Sequence, residues 1–450
     1  MVRVTDMTHG RPIRLILLFS LPLMLGSVFQ QLYTIVDTII IGRGVGMQAL
    51  ASIGAADWIN WLVLWGLQGF TQGFAILAAQ EFGAGAYDRL RRVLAMIVKL
   101  SCWFGIAVTI ISLLLVRPLL TLLHTDPAVF GGAQTYLYVQ FGGSLIIIAY
   151  NMAAAVLRCL GDSRTPLFAI IAASFANIAL DLLFVMGFGW GIFGASFATV
   201  LAQLIAFLLC LRSLRRLPFV QLTKADWKTD PAILLHLCRL GIPTGLQMSM
   251  ITLGGMVLQS VLNGFGVVFV AGYTAANKLY GILESASVAF GYAMTAYMGQ
   301  NRGARNAARI DAGIRAVLVL SAEFTAAIVT AMLVAGKPLL GLFLSTEEAG
   351  AADALAVAYQ YLMVLMVFLF ALFMLQAYRS SLQGLGEMTV PTLSGFAEML
   401  MRMGAALVLP TFIGQSGVFF AEGAAWVCAA ALNLVWYYMR IGKIKRDMLK

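Results

Sequence analysis

The sequence predicts an all-α integral membrane protein with about twelve transmembrane helices in two six-helix lobes related by a parallel repeat. Three observations predict this fold: the composition, the succession of long apolar stretches and an internal repeat. Of 450 residues, 61% are hydrophobic and 11% are charged, whereas soluble domains carry about 25% charged residues. Because this number of charges is too small to cover the surface of a soluble protein of this size, most of the chain needs an apolar solvent.

The apolar stretches are long enough to cross a bilayer as helices, which takes about 20 residues each. A β-barrel would instead show alternating segments of about 10 residues. The first stretch exceeds the about 7–15 residues of a secretory signal, so we expect it to be an uncleaved helix. The stretches lie near 13–41, 51–78, 92–118, 135–157, 166–188, 192–213, 235–263, 270–298, 312–336, 358–382, 391–413 and 417–441.

Four sequence anchors recur in the same order about 220 residues apart, which indicates a duplicated chain. Six helices per half place both halves in the membrane in the same direction, an arrangement found in transporters. We predict a first lobe at 1–216, a cytoplasmic linker at 217–234 and a second lobe with a basic tail at 235–450. The anchors are Ser20-Leu21-Pro22 with Gly241-Ile242-Pro243, Gln80-Glu81-Phe82-Gly83-Ala84 with Gln300-Asn301-Arg302-Gly303-Ala304, Arg117-Pro118-Leu119-Leu120 with Lys337-Pro338-Leu339-Leu340, and Leu160-Gly161-Asp162 with Leu385-Gly386-Glu387.

Charge placement predicts the orientation and excludes several functions. Most of the 30 Lys and Arg residues fall on one side if the N-terminus is inside, so we expect both termini in the cytoplasm of a bacterium or archaeon. The net charge of +10 lies in short loops rather than on a face with stacking aromatics, which argues against nucleic-acid binding. The five cysteines show no CxxC spacing, so neither a disulfide framework nor a zinc site is predicted.

Motifs of soluble enzymes are missing from the sequence. Gly189-Trp190-Gly191-Ile192-Phe193-Gly194 fits GxGxxG by letter, but it lies between two membrane helices without a preceding strand. No Walker A, HExxH or GxSxG pattern is present. We therefore predict a protein that is not an enzyme and needs no cofactor.

Acidic residues within membrane helices cost about 2.5–3.5 kcal/mol each and are functional candidates by default. Asp37 on helix one and Asp181 on helix five are expected to differ in depth by about one helical turn. Thr199 on helix six falls at a similar level, and Asn177 shares a helix face with Asp181. These oxygens suit Na⁺, and the carboxylates could carry a proton. The alternative is interhelical hydrogen bonding, worth about 0.6 kcal/mol.

Further candidates lie on the first two helices. Gln30, Tyr33 and Asp37 form a polar stripe with the spacing i, i+3, i+7. Pro22 predicts a bend below Asp37 that either moves during function or is a static kink. Asp57 stands beside two tryptophans and is either part of the site or an interfacial residue.

The second half lacks the carboxylate pair, because the repeat places Leu258 and Ala406 at the two aspartate positions. Glu398 and Arg402 are four residues apart and are expected to pair. Such charges are either structural or line a substrate cavity. The other cavity or gating candidates are Lys278 and Glu284, which share helix eight, and Tyr136.

The sequence resembles the multidrug and toxic compound extrusion (MATE) transporters over nearly its whole length. The resemblance implies a V-shaped pair of lobes that exports cationic or amphipathic compounds in exchange for Na⁺ or H⁺. It rests on Leu21-Pro22 to Asp37-Thr38 followed by Ile41-Gly42, on Ala79-Gln80-Glu81-Phe82-Gly83-Ala84-Gly85, and on Leu157-Arg158-Cys159-Leu160-Gly161-Asp162 to Pro166.

In the DinF-like branch of that family, the resemblance implies a first-lobe cation site. Asp37, Asn177, Asp181 and Thr199 match its positions on helices one, five and six, and Asn151 matches a further asparagine on helix four. Another branch uses an acid pair on helices seven and ten, and neither of those stretches contains an acid here. This departure favours ion coupling in the first lobe.

The sequence therefore predicts a secondary antiporter whose only small-ion requirement is Na⁺ or H⁺. Its expected partners are small cationic or amphipathic molecules and the lipid bilayer, and we expect a monomer. Two alternatives remain open: a flippase of lipid-linked saccharides from the same superfamily, and a membrane receptor or scaffold that does not transport.

Overall fold

The structure is a computed structural model that describes residues 4–343 and 350–449. The described residues form thirteen α-helices and short π- and 3₁₀-helical segments, without a β-strand. The α-helices are α1 (Pro12–Gly44), α2 (Met47–Gly83), α3 (Tyr87–Leu122), α4 (Pro127–Gly142), α5 (Ser144–Cys159), α6 (Arg164–Asp181), α7 (Gly191–Arg215), α8 (Pro231–Leu262), α9 (Val267–Gly303), α10 (Ala307–Gly341), α11 (Ala351–Gly384), α12 (Thr389–Ile413) and α13 (Phe420–Leu449).

The helices correspond to the apolar stretches of the sequence, which confirms the all-α membrane fold. Ten helices of the described chain are long and apolar enough to cross a membrane. The stretch near 135–157 consists of α4 and α5, which are bent by 50° at Gly143 and make an eleventh candidate. The stretch near 270–298 is α9, a long helix that contains Lys278 and Glu284. It is not among the ten helices that are apolar enough to cross a membrane.

The repeat of the sequence is also a repeat of the structure. Helices α2 and α9 each have 37 residues. Each follows a glycine with a positive φ, Gly46 at 109° and Gly266 at 90°. Glycine adopts this conformation without steric cost, so both helices start after the same kind of turn. The halves differ where α4 and α5 of the first half correspond to the continuous α11 of the second.

Contacts divide the chain into two compact units. Among the described residues, the first unit comprises 4–6 and Leu21–Gly245, and the second comprises Met7–Ser20 and the described part of the chain from Leu246. Both divisions fall inside helices, close to Pro22 in α1 and Pro243 in α8. The predicted lobes instead divide at the linker 217–234. Compared with those lobes, the first turns of α1 belong to the second unit and the first turns of α8 belong to the first unit.

The first turns of α8 belong to the first unit because glycines allow them to approach α2. A Cβ atom added to Gly73 would lie 2.6 Å from the Cα atom of Gly241. One added to Gly241 would lie 2.1 Å from the ring of Phe74, and one on Gly245 would lie 2.5 Å from the ring of Phe70. Small residues of this kind let membrane helices come into backbone contact.

Candidate functional site

Asp37 and Asp181 lie side by side in the first unit. Asp37 projects from α1, and Asp181 is the last residue of α6 and is fully buried. Their carboxyl groups are close enough to share a hydrogen bond when one carries a proton. Oδ1 of each is buried and lacks a hydrogen-bond partner within the described chain. Since an isolated buried carboxylate is very unfavourable, this pair calls for a proton or a bound cation.

No basic side chain neutralises this pair. Among the residues that the structure describes, neither Asp37 nor Asp181 has a Lys, Arg or His nitrogen within 4.0 Å. Two adjoining like charges raise each other's energy, and burial weakens the screening that water would supply. The described residues therefore supply no positive charge that would compensate two ionised carboxylates at this place.

Asn177 and Thr199 hold the Asp181 side of the site. Asn177 is 1% exposed. In the orientation that satisfies both amide atoms, its nitrogen donates to Oδ2 of Asp181 at 3.2 Å, and its oxygen accepts from the backbone N–H of Thr199 at 3.3 Å. The Thr199 hydroxyl donates to the carbonyl of Ala195 at 3.2 Å, which leaves its lone pairs available. Asn177 thus links the carboxylate on α6 to α7.

The helix changes form immediately after Asp181. Leu182–Gly187 is a six-residue π-helix, and the N–H of Phe188 donates to the carbonyl of Leu183 at 2.9 Å. π-Helical segments are rare and often occur at functional sites. The sequence does not predict this segment. Gly187 and Gly189 are its only sequence signal, and glycines at a helix end usually indicate an ordinary turn.

A small cavity lies beside Asn177 and Thr199, the residues linked to Asp181. Its volume is about 50 Å³, whereas a water molecule occupies about 30 Å³ in the liquid and drug sites measure about 300–1,000 Å³. The cavity is therefore of a size for an ion and water and too small for an organic substrate. It is lined by four residues that were site candidates in the sequence, Gln30, Tyr33, Asn177 and Thr199. Residues that the sequence did not single out also line it, among them Tyr150, Ser174 and Gln203.

The donor set fits Na⁺ or H⁺. Carboxylate and hydroxyl oxygens are hard ligands, and Asp37, Asp181 and Thr199 supply them. In the orientation that satisfies both of its amide atoms, Asn177 directs its nitrogen at Asp181, so it would offer its oxygen to Na⁺ only after the amide rotates. No group of three or more His, Cys, Asp or Glu side chains suited to a metal ion occurs in the described part of the chain.

Asn151 lies apart from this cavity. Its amide donates to the carbonyl of Ile147 at 2.9 Å, one turn earlier on α5. The neighbouring Tyr150 lines the cavity instead. Adjacent residues on a helix point about 100° apart, which explains why one of them faces the cavity and the other does not.

The remaining first-half candidates lie around Asp37. Asp57 and Tyr136 are half-buried and within electrostatic range of Asp37. The amide of Asn60 donates to the Tyr136 hydroxyl at 3.2 Å. Pro22 is half-buried within α1, which remains a helix on both sides of it.

The second unit contains a buried network of compensated charges. Arg402 pairs with Glu398 at 3.1 Å, the ion pair expected from their spacing, and with Glu422 on α13 at 2.8 Å. Arg379 on α11 also pairs with Glu398. Sequence reasoning missed Arg379 and did not pair Glu422, itself an intramembrane acid, with Arg402, because these contacts join separate helices and follow no spacing rule. Each acid of this network therefore has an arginine partner.

Lys278 and Glu284, the two candidates that share α9, form no ion pair with each other in the described part of the chain. Lys278 is exposed. Glu284 is half-buried, hydrogen-bonds Tyr280 and lies within electrostatic range of Arg402. Residues six apart on an α-helix point about 120° apart, which separates Lys278 from Glu284.

Comparison with known proteins agrees with this architecture. The MatE family model matches the chain twice, over residues 22–183 and 243–408, so each match begins at one of the two repeated prolines. The chain is 32% identical to the probable multidrug resistance protein YpnP of Bacillus subtilis strain 168, over 99% of this chain and 98% of that protein.

Solved structures share the fold. A MATE protein in complex with MaL6 superposes with a TM-score of 0.91 at 24% identity, over 99% of this chain and 100% of that one. A MOP superfamily transporter from Pyrococcus furiosus superposes with a TM-score of 0.90 at 24% identity, over 98% and 99% of the two chains. Since the family model covers both repeats and the relative covers nearly the whole chain, the protein belongs to the MATE family of multidrug efflux transporters.

Proposed function

We propose that the protein is a secondary antiporter that exports organic cations or amphipathic compounds in exchange for Na⁺ or H⁺ by alternating access. One observation supports the ion coupling: Asp37, which is half-buried, and Asp181, which is fully buried, adjoin and have no basic partner among the described residues. The name of the relative YpnP, a probable multidrug resistance protein, supports export of drug-like compounds.

The site couples ion binding to helix position through charge. With a cation or proton bound, Asp37 and Asp181 attract the same positive charge and hold α1 against α6. After the ion leaves, the two carboxylates repel one another. Pro22 removes a backbone hydrogen bond from α1 and gives the helix a place to bend. Exchange also requires that the ion bind the two states with different affinity.

The ion and the organic substrate occupy separate spaces in this proposal, because the cavity beside Asn177 has a volume of only about 50 Å³. Movement of α1 is then the means by which ion occupancy affects the substrate. The positions of Asp37, Asn177, Asp181 and Thr199 favour the DinF-like branch. We further propose a monomer in a bacterial or archaeal cytoplasmic membrane, with both termini inside.

The test is gradient-driven efflux of a fluorescent organic cation from proteoliposomes. Na⁺ and H⁺ gradients are imposed separately on wild type, Asp37→Asn and Asp181→Asn. Asp353→Asn is the matched control, because Asp353 is exposed in the first turn of α11. We expect one gradient to drive transport in wild type and control, and neither gradient to do so in the two site variants.

Wild-type rates in either site variant would refute the proposed ion site. If folded wild-type protein transports no organic cation under either gradient, the antiporter proposal fails. A fluorescent lipid-linked saccharide in the same vesicles would then test the flippase alternative.

A further inference from the structure

A second cavity lies in the second unit, away from the aspartate pair. It measures about 430 Å³, within the range of about 300–1,000 Å³ typical of small-molecule sites. It is formed where α9 passes into α10, where α11 passes into α12, and by the last turns of α13. The charged residues that line it are Arg302, Arg305, Glu387, Arg440, Lys443 and Asp447.

Positive charge dominates this cavity, with four basic side chains against two acidic ones. Within the described chain, none of the four basic groups has a carboxylate oxygen within 4.0 Å. Nε of Arg440 is buried and has no hydrogen-bond partner among the described residues. The cavity thus contains one buried guanidinium donor, Nε of Arg440, that no described residue satisfies.

The corresponding place in the first half is filled by the chain. Gly161 and its repeat partner Gly386 both have a positive φ, 93° and 72°. The N–H of Thr5 donates to the carbonyl of Gly161 at 3.1 Å, and the Thr5 carbonyl oxygen lies 2.1 Å from the position of a Cβ on Gly161. Gly386 instead lines the open cavity. The cavity is therefore a feature of the second half and not of the repeat.

We infer that this cavity binds a phosphate group, and that an anionic phospholipid of the membrane supplies it. Arginine forks match phosphate oxygens in geometry and charge, and basic pockets at the cytoplasmic ends of membrane helices bind phosphorylated headgroups. Arg440 also lies 5.0 Å from the ring centre of Trp436 on α13. Tryptophan beside arginine is typical of the headgroup level of a bilayer.

The inference is independent of the ion site, because no residue of the cavity contacts the aspartate pair. A soluble phosphate compound offers the same chemistry as a headgroup, so the experiment includes both sources. The full-length protein in detergent is titrated with phosphatidylglycerol, phosphatidylcholine or inorganic phosphate. Binding is measured by native mass spectrometry and by the shift in unfolding temperature.

The test variant is Arg305→Gln/Lys443→Gln, which removes two exposed positive charges from the cavity. The matched control, Arg215→Gln/Arg216→Gln, removes two exposed positive charges beyond the cavity, at the end of α7. We expect phosphatidylglycerol affinity to fall on the order of tenfold in the test variant and to stay unchanged in the control. Arg440→Lys, which keeps the charge but loses the fork, should weaken binding less.

Each outcome decides the inference. Preferential retention of phosphatidylglycerol over phosphatidylcholine, lost in the test variant only, supports the lipid. Binding of inorganic phosphate alone, lost in the same variant, supports the phosphate site and assigns a soluble source. Equal retention of both lipids, equal binding in test variant and control, or no binding of any probe would overturn the inference.

Discussion

The two halves of the chain hold buried acids in opposite circumstances. In the first half, Asp37 and Asp181 face each other without a basic partner among the described residues. In the second half, Glu398 is held between Arg379 and Arg402. The comparison shows that the presence of a buried carboxylate does not by itself indicate an ion site. What distinguishes the halves is whether the protein supplies the opposite charge.

This difference predicts that replacing a carboxylate by an amide changes folding stability in opposite ways in the two halves. Removing a charge from the aspartate pair relieves repulsion and desolvation, so folding should not suffer while ion binding is lost. Removing a charge from the arginine network leaves a buried guanidinium without its partner, which is strongly destabilising. Transport and stability measurements on the same variants therefore separate an ion site from a structural network.

The largest effect is expected for Asp181→Asn. Transport under either gradient should fall to the level of empty vesicles, because an amide cannot supply the negative charge that binds the ion. The unfolding temperature should equal or exceed that of wild type, since a buried repulsion is removed. Efflux and thermal unfolding measured on one preparation check this. A lower unfolding temperature together with residual transport would contradict the prediction and would show that Asp181, like Glu398, has a structural role.

The second largest effect is expected for Glu398→Gln. Glu398 is 3% exposed and contacts both Arg379 and Arg402, and breaking a buried ion pair costs about 3–5 kcal/mol. Unfolding in detergent should shift accordingly, without any change in which ion drives transport in the molecules that fold. If Glu398→Gln instead keeps its stability and loses coupling, the network is a second ion site.

A smaller effect is expected for Thr199→Val. Thr199 lines the cavity beside Asn177, and its backbone N–H donates to the Asn177 amide oxygen. Loss of one supporting polar group at an ion site typically lowers affinity by about tenfold or more. The ion concentration for half-maximal transport should rise by about this factor. Thr199→Ser is the matched control and should stay near wild type. Equal shifts in both variants would indicate a packing effect and remove Thr199 from the site.

The smallest effect concerns Asp226, a carboxylate in the linker outside the membrane helices. Burial raises the pKa of Asp226, but hydrogen bonds from the Thr223 N–H and hydroxyl, both at 2.7 Å, together with the nearby Arg91, outweigh burial and hold the pKa below its usual value. Its stabilisation is therefore present above about pH 4, the unfolded pKa, and is lost as the pH falls through the lower folded pKa.

Asp226→Asn should accordingly lower the unfolding temperature slightly at pH 7, and the difference from wild type should shrink as the pH falls below about 4, toward the lowered folded pKa of Asp226. A difference that stays constant over this range would mean that hydrogen bonding, rather than charge, sets the contribution. Thermal unfolding in a pH series measures it. The control is Asp230→Asn, because the Asp230 carboxylate accepts hydrogen bonds from the N–H groups of Ala232 and Ile233 at the start of α8.

Several features of the protein follow from the sequence alone. The long apolar stretches require helices, because a bilayer offers the backbone no other hydrogen-bond partner. The repeat anchors predict the duplication, and the two matches of the family model begin at Pro22 and Pro243. The Glu398–Arg402 pair was also predictable, since residues four apart on a helix are neighbours whatever surrounds them.

Only the tertiary structure decided which buried charges are compensated. Arg379 and Glu422 reach the network from α11 and α13, and Gln203 reaches the cavity beside Asn177 from α7. The bend at Gly143 and the π-helix after Asp181 are likewise absent from any local pattern. Contacts between helices depend on how each helix is rotated and placed, and hydrophobic periodicity along one helix carries little information about its partners.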